Sequence, residues 1–350
     1  VRSSMKQNIK NLLFSELEEY FLQKYRQKFR AKQIFKWLSL GVTSFEEMTD
    51  ISKKMAAELS EDFYISDLKV VKKEVSRDGT VKFLYELGDG NTIESVLMDY
   101  KHGYSICIST QVGCNMGCTF CASTVGGKVR DLEAGEILDQ VLFTAKGEGK
   151  RISNIVLMGI GEPLDNYENV LRFLKNVNDE HGINIGYRHI SLSTCGLVDG
   201  INRLAEENIP LTLSVSLHAP NDTIRNKTMP VSRKYPYETL LKAVKQYVKK
   251  TGRRVSFEYT LIKDVNDRPE HAKELIGHLK GMLCHVNLIP VNPARGSMSP
   301  SEKKRIAEFQ QMLMSGGLNA TVRRTLGTDI NAACGQLRRA ASNRKEGEPL

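Results

Sequence analysis

The sequence predicts an α/β chain: a parallel sheet built from six strand–helix units, preceded by a small helical segment and a short β-rich stretch. Three observations predict it. From residue 104 onward, apolar runs of strand length alternate with segments of helical periodicity. Residues 1 to about 60 carry the helical period alone, and residues 65 to 100 alternate as strands do. The 350 residues, 41% hydrophobic and 26% charged, suffice for one large domain and a small appendage.

In RAKQIFKWL, Ile34, Trp37 and Leu38 recur at i, i+3 and i+4, with Phe35 flanking that face. Ser44 and Glu47 have the spacing of a capping box. Phe21 to Lys36 holds six basic residues and no acid, interleaved with Tyr25, Phe29 and Phe35. That pattern is either a solvated helix face over a small core or a module that faces RNA. Turn signals at Arg77-Asp78-Gly79 and Gly88-Asp89-Gly90 divide the strands that follow.

Strands are then expected near 104–109, 153–158, 188–194, 211–217, 255–262 and 284–290. Helices are expected near 133–147, 166–179, 198–207, 237–250, 269–280 and 301–315. Six such units make an incomplete version of the eight-unit barrel, and a doubly wound open sheet is the competing architecture. Either fold binds ligands at the carboxyl ends of its strands. The expected organisation is a helical accessory domain over 1–62, a β-rich linker over 63–100, an α/β core over 101–335 and a basic tail over 336–350.

No apolar stretch reaches the roughly 18 residues of a membrane span. VRSSMKQNIKNLLF offers no apolar run of signal-peptide length before Glu16, Glu18 and Glu19. A cytoplasmic protein with no membrane partner is expected. The net charge of +9 favours a polyanionic partner, although solvated basic faces give the same balance.

Seven cysteines divide into a cluster, Cys107, Cys114, Cys118 and Cys121, and three scattered residues, Cys195, Cys284 and Cys334. In a reducing compartment such clustering reads as metal binding or catalysis before disulfides. Cys114-x3-Cys118-x2-Cys121 follows directly on the first strand of the α/β series. Three thiolates at this spacing can hold three irons of a [4Fe–4S] cluster and leave the fourth open. A structural zinc site with a borrowed ligand, or buried thiols without metal, are the alternatives. After the next strand comes Gly159-Ile-Gly161-Glu162-Pro163, where glycines allow close backbone approach and Glu162 can accept from a cationic amine. Taken alone it is an ordinary turn. It is no dinucleotide fingerprint, since Leu164 stands where a third glycine would be.

The Cys114, Cys118, Cys121 spacing resembles the signature of radical S-adenosylmethionine enzymes, and the later motifs follow that family's partial (β/α)6 barrel in order. The resemblance implies a [4Fe–4S] cluster whose open iron is chelated by S-adenosylmethionine, which one electron cleaves to methionine and a 5′-deoxyadenosyl radical. STQVGCNMGCTFCAST (109–124), SVSLHAPND (214–222), NLIPVNP (287–293) and DINAACGQL (329–337) narrow it further. Over residues 28 to 338 the chain resembles bacterial RNA adenine-C2 methyltransferases acting on 23S rRNA and tRNA.

By that resemblance Gly161, Glu162, Ser193, Ser216, Leu217, His218 and Asn292 contact S-adenosylmethionine, and all lie at expected strand ends. Read by themselves, Ser193 and Ser216 are equally helix caps, and His218 is equally a core histidine. The resemblance makes Cys334 the methyl carrier, Cys107 the second thiol and Glu94 a proton acceptor. Without it, Cys334 is an inert small residue and Glu94 a strand glutamate facing solvent.

Chemistry supplies a reason for the carrier. Carbon 2 of adenine is an electron-poor sp2 centre, so direct methyl transfer from the sulfonium fails, whereas a thiolate can take the methyl first. Hydrogen abstraction from the S-methyl then gives a carbon radical that adds to the ring. Release from sulfur follows when the second thiol forms a disulfide, and two S-adenosylmethionines are consumed per methyl.

The resemblance further implies a low-potential electron donor of flavodoxin or ferredoxin type and a monomer. Lys249-Lys250, Arg253-Arg254, Lys303 to Arg305 and Arg323-Arg324 are candidates for tracking phosphates, as is the tail at Arg338, Arg339, Arg344 and Lys345. Cys195 is expected to be a buried bystander and Cys284 a core residue. The sister activity at adenine C8 shares the three cysteine roles, and Ala122 to Asp131 favours the C2 enzymes. A non-catalytic iron–sulfur RNA-binding factor would need neither Cys334 nor Cys107, and radical chemistry on a small molecule or protein would show no salt-sensitive RNA binding.

Overall fold

The computed structural model describes residues 6–292 and 298–337. Pro293 of the NLIPVNP motif and the basic residues after Leu337 therefore lie outside the described residues. Among those described, no helix is long and apolar enough to cross a membrane.

The N-terminal region comprises β1 (Gln7–Asn8), α1 (Phe14–Tyr25), α2 (Arg30–Ser39), α3 (Lys53–Asp62) and β2 (Phe63–Tyr64), with β1 and β2 paired in parallel. Its core is its own, built around Leu17, Phe21, Ile34, Phe35, Leu38 and Leu59. Phe35 is buried and Trp37 only half-buried, because the Trp37 indole N–H donates to Asp50 at 2.6 Å. Glu47 accepts from the Thr43 and Ser44 N–H groups, capping a single 3-10 turn at Phe45–Glu47. Ser52 caps α3 through the Met55 N–H at 3.1 Å.

Next come β3 (Lys69–Val75), β4 (Val81–Glu86), β5 (Thr92–Tyr100) and β6 (Gly103–Cys107), then the short pair β7 (Gln111–Val112) and β8 (Arg130–Asp131). The alternating units are α4 (Ala134–Glu148), β9 (Ile152–Leu157), α5 (Tyr167–Asn178), β10 (Ile190–Thr194), α6 (Val198–Glu207), β11 (Thr212–Ser216), α7 (Asp222–Thr228) and α8 (Tyr237–Thr251). They continue through β12 (Val255–Leu261), α9 (Pro269–Leu279), β13 (Cys284–Pro290), α10 (Lys303–Ser315) and β14 (Ala320–Val322).

Ten strands form one sheet in the order β14-β13-β12-β11-β10-β9-β6-β5-β4-β3. From β6 to β14 neighbours are parallel and follow chain order, the winding of a barrel rather than of a doubly wound sheet. No pairing joins β14 to β3 among the described residues, so the barrel is partial. Two features depart from expectation. A seventh parallel strand, β14, pairs with β13, and its three residues are too short for a periodicity signal. The 65–100 stretch extends the same sheet antiparallel through β5 and β6, and Phe83, Tyr85 and Ile93 share the barrel's core.

Candidate active site at the barrel mouth

The loop after β6 is built to return on itself. Ile108 N–H continues the parallel pairing to Val156 O at 3.0 Å, and Thr110 N–H reaches Ile160 O at 2.8 Å. The β7–β8 pair then closes residues 113–129 into a lobe. Gly113 has φ +77°, and a Cβ there would stand 1.9 Å from the Gly127 carbonyl oxygen, so no other residue fits. Cys114, Cys118 and Cys121 line one cavity on this lobe, at the carboxyl ends of the strands.

Glycine and carboxylate shape the opposite wall. Gly161 has φ +108° and lies against Gln111, whose Oε1 accepts the Glu162 N–H at 2.9 Å. Glu162 is buried, and its carboxylate accepts from the Cys195 N–H at 2.7 Å and the Leu164 N–H at 3.0 Å. Burial pushes its pKa up against those bonds, so a cation arriving there would meet a carboxylate short of compensation. Ser193 and Ser216 face the same space. Neither caps a helix: Thr194 Oγ1 accepts the Gly196 N–H, and Asn221 caps α7.

His218 combines both of its readings, being buried and lining the cavity. It adopts φ +54°, and its Nδ1 accepts the Thr260 N–H at 2.9 Å. Desolvation pushes its pKa down to about 3, with the Arg225 cation acting in the same direction. A neutral ring accepting at Nδ1 carries its proton on Nε2. Leu217 is different: its side chain is in the core, its N–H donates to Glu258 O, and its carbonyl accepts from Arg225.

The C-terminal segment closes the site. Ala122 N–H donates to Gly335 O at 2.7 Å, and Ser123 Oγ to Leu337 O at 2.7 Å. Asn292 Nδ2 holds the Cys334 carbonyl at 3.1 Å. A residue over 200 positions from the cysteine loop thereby lines the same cavity. Cys107 is paired on β6 between Val96 of β5 and Val156 of β9. Burial and the neighbouring Cys334 push its thiol up to about 12, against the pull of the Arg323 cation.

Arg323 was expected on a phosphate-tracking surface and instead points inward. Its Nη1 lies 3.5 Å from Met158 Sδ and 3.9 Å from Glu258, and it lines the cavity with Cys334. Its signal was missed along with β14, which it follows. Lys249, Lys250, Arg253 and Arg254 precede β12 and so lie at the end of the sheet opposite the mouth. Lys303 to Arg305 begin α10 on the mouth side, after the carboxyl end of β13. Glu94 is buried, not solvent-facing, with Lys82 Nζ at 3.4 Å. It stands on β5 two residues before the partner of Cys107, outside the cavity lining. Cys284 is in the core as expected, whereas Cys195 is buried but lines the cavity.

The donor set fits an iron–sulfur cluster. Burial pushes Cys114 up to about 12 and raises Cys118 further, and each thiolate would repel its neighbours, so a deprotonated trio needs a multiply charged cation. Among the described residues no three His, Cys, Asp or Glu side chains close on a single-ion site. A [4Fe–4S] cluster instead asks for one thiolate per iron, spread across its own width.

Comparison with known proteins agrees with this geometry. Residues 108–276 match the Radical SAM superfamily model, and residues 7–65 match the model of the ribosomal RNA large subunit methyltransferase N-terminal domain. A Clostridium tetani protein named probable dual-specificity RNA methyltransferase RlmN is 54% identical over 343 residues, 97% of this chain and 98% of that one. A relative of the same name from Alkaliphilus oremlandii is 55% identical over 332 residues, covering 94% and 96%. The crystal structure of a radical SAM methyltransferase from Sphaerobacter thermophilus superposes with TM-score 0.90 at 43% identity, covering 95% of this chain and 99% of that one.

Proposed function

The chain belongs to the RlmN family of radical S-adenosylmethionine RNA methyltransferases, and from that premise we propose that it methylates carbon 2 of adenine in 23S rRNA and tRNA. The observation that carries this reading is the C-terminal segment, hydrogen-bonded to the cysteine loop so that Cys334 shares the cavity with Cys114, Cys118 and Cys121. A protein that only bound RNA through a structural cluster would have no use for a thiol brought there by the C-terminal segment.

In the proposed assignment Cys114, Cys118 and Cys121 hold the cluster. Gly161, Glu162, Ser193, Ser216, His218 and Asn292 surround S-adenosylmethionine, with Leu217 positioning its neighbours through the backbone. When bound, the two supply an activated methyl and one-electron cleavage of a carbon–sulfur bond. Glu162 offers a desolvated carboxylate to the amino group, and His218 offers a fixed Nε2–H donor. Cys334, as a thiolate that has lost its proton, would take the methyl from the sulfonium: a new S–CH3 bond forms as the sulfonium–methyl bond breaks, and its electron pair stays on the departing thioether sulfur. Once the methylene has joined the base, the adduct must shed one electron, which the cluster would accept, and its ring proton; Cys107 then attacks the Cys334 sulfur. A disulfide forms, and the electrons of the broken carbon–sulfur bond return to the methylene carbon, which takes up a proton.

Arg323 lines the cavity with Cys334, and its cation pulls against the burial that raises the Cys107 thiol. Glu94, on the β5 segment facing Cys107, is the proposed acceptor for the ring proton. Arg26, Lys32 and Lys36 are exposed in the same region as a Phe29 ring that is 61% exposed and carries the Arg30 guanidinium over it at 5.0 Å, a surface suited to gripping RNA. A flavodoxin- or ferredoxin-type protein is the proposed electron donor, acting on a monomer in the cytoplasm.

The test uses anaerobically reconstituted protein, S-adenosylmethionine, a low-potential reductant and unmodified large-subunit RNA fragments. Nucleoside mass spectrometry is expected to show 2-methyladenosine with wild type and none with Cys334→Ala. An 8-methyladenosine product would overturn the regiochemistry, and cleavage of S-adenosylmethionine without RNA methylation would overturn the substrate.

A further inference from the structure

Arg225, on α7, has no accessible surface at all. Its Nε donates to Leu217 O at 3.2 Å, and its Nη2 donates to Cys195 O at 2.6 Å and Ser216 O at 3.3 Å. Nη1 has no partner. Asp222, a carboxylate close enough to be felt, is turned to the Tyr237 N–H at 2.9 Å. No ion pair to Arg225 occurs among the described residues, and Cys195, whose carbonyl it holds, lines the same cavity as Cys118. His218 also faces it and is neutral.

A guanidinium stripped of water is costly unless an anion offsets the loss, and carbonyl dipoles do so only in part. Among the described residues no carboxylate pairs with it, and the cysteine loop is where an anion belongs. Thr119 N–H donates to Thr228 O at 2.9 Å, and Gly117 packs on Pro230, so α7 is tied directly to that loop. A [4Fe–4S] core held by three thiolates bears net negative charge, and reduction adds one more.

We propose that Arg225 is the buried countercation of the cluster, a positioning residue that retains it and eases its reduction through charge rather than through contact with S-adenosylmethionine. The proposal rests on the cluster assignment. It explains why the guanidinium is enclosed behind the cavity wall instead of lining it, and why one of its nitrogens points at no protein acceptor.

Arg225→Gln keeps an amide donor for the carbonyls and removes the charge; Arg225→Lys keeps the charge with fewer donors. Both are reconstituted anaerobically beside wild type. Iron and sulfide content, loss of absorbance to a chelator, and the midpoint potential from an EPR-monitored titration are measured, with melting before and after loading. In Arg225→Gln the midpoint should move to more negative potential and iron should leave about tenfold faster. Arg225→Lys should melt lower as apoprotein yet keep the wild-type midpoint and the full rise in melting temperature on loading.

A loaded Arg225→Gln protein with wild-type midpoint and iron loss overturns the proposal alone. If that variant does not fold, loss of the loading rise in Arg225→Lys overturns it. Failure of wild type to take up iron would instead sink the cluster assignment and this proposal with it.

Discussion

Lys10 and Arg225 are both enclosed cations, and the protein treats them in opposite ways. Lys10 Nζ stands 2.6 Å from Asp139 Oδ1 and donates to Ser66 O at 2.8 Å, while Ser66 Oγ donates to the other Asp139 oxygen at 2.5 Å. Every charge there is answered within the chain. The pair joins the N-terminal region to α4, supported by Arg172 on Glu16 and by Asn176 on the Lys10 and Leu12 carbonyls. Among the described residues Arg225 is answered by carbonyls alone. The contrast teaches that charge serving architecture brings its own counter-ion, and charge serving a ligand is left open toward it.

The largest effect is expected at the answered pair. Asp139→Ala leaves an uncompensated ammonium and should cost roughly 3–5 kcal/mol in urea unfolding, most of it recovered in the Lys10→Met/Asp139→Leu double variant. A loss below about 1 kcal/mol would mean that water reaches Lys10 and that the contrast is false. Burial raises the Asp139 carboxyl to about 6 against the pull of Lys10, above the roughly 3.9 of an unfolded chain. The folded state therefore binds this proton first, so the site's stabilising contribution is full below about pH 4 and is lost as pH rises through 6. Asp139→Asn should abolish that slope between pH 4 and 6 in unfolding free energies.

Sequence period made the barrel legible, because helices such as α6 and α8 bury one face and the strands are continuous apolar runs. The cysteine spacing and the Gly161-Glu162 turn identified one half of the site for the same reason: neighbours in sequence are neighbours in space. What stayed hidden depends on long-range closure. Arg225 reads as a polar residue on a short helix after Asn221, and only packing of α7 on the cysteine loop encloses it. Arg323 follows three strand residues that join the sheet solely by pairing with β13. Glu94 alternates like a solvent-facing residue, yet Lys82 on the adjacent strand covers it. The expected role of Cys334 came from resemblance, and its approach to the cluster loop rests on two backbone carbonyls that no motif encodes.

A smaller effect is expected where the C-terminal segment is pinned at the other side of the mouth. Asp78 accepts from the Gly327 N–H at 2.9 Å and the Thr80 N–H at 2.9 Å, and Asp329 accepts from Ser76 Oγ at 2.5 Å. Burial raises the Asp78 carboxyl, but these bonds outweigh it and bring it down to about 2. Its contribution is therefore present above about pH 3.8 and lost as pH falls towards 2. Asp78→Ala should cost about 1–2 kcal/mol after allowance for exposure, and should speed amide exchange across residues 327–337. Faster exchange confined to the β3–β4 turn would show that the segment is held by the cysteine loop alone.

The smallest effect sharpens the comparison between the N-terminal core and the barrel. Ser52 Oγ accepts the Met55 N–H at the start of α3, and Ser52→Ala should cost about 1 kcal/mol. Its value lies in where that cost appears. The N-terminal residues bury their own cluster, yet the enclosed Lys10–Asp139 pair couples them to α4. If the pair welds the two cores into one cooperative unit, a single urea transition should shift to lower midpoint with unchanged slope. If the cores unfold separately, only an early transition should move, and Asp139→Ala should split a wild-type transition that had been single. Seeing two transitions already in wild type would demote the buried pair from a weld to a local contact, and the contrast with Arg225 would then concern chemistry alone.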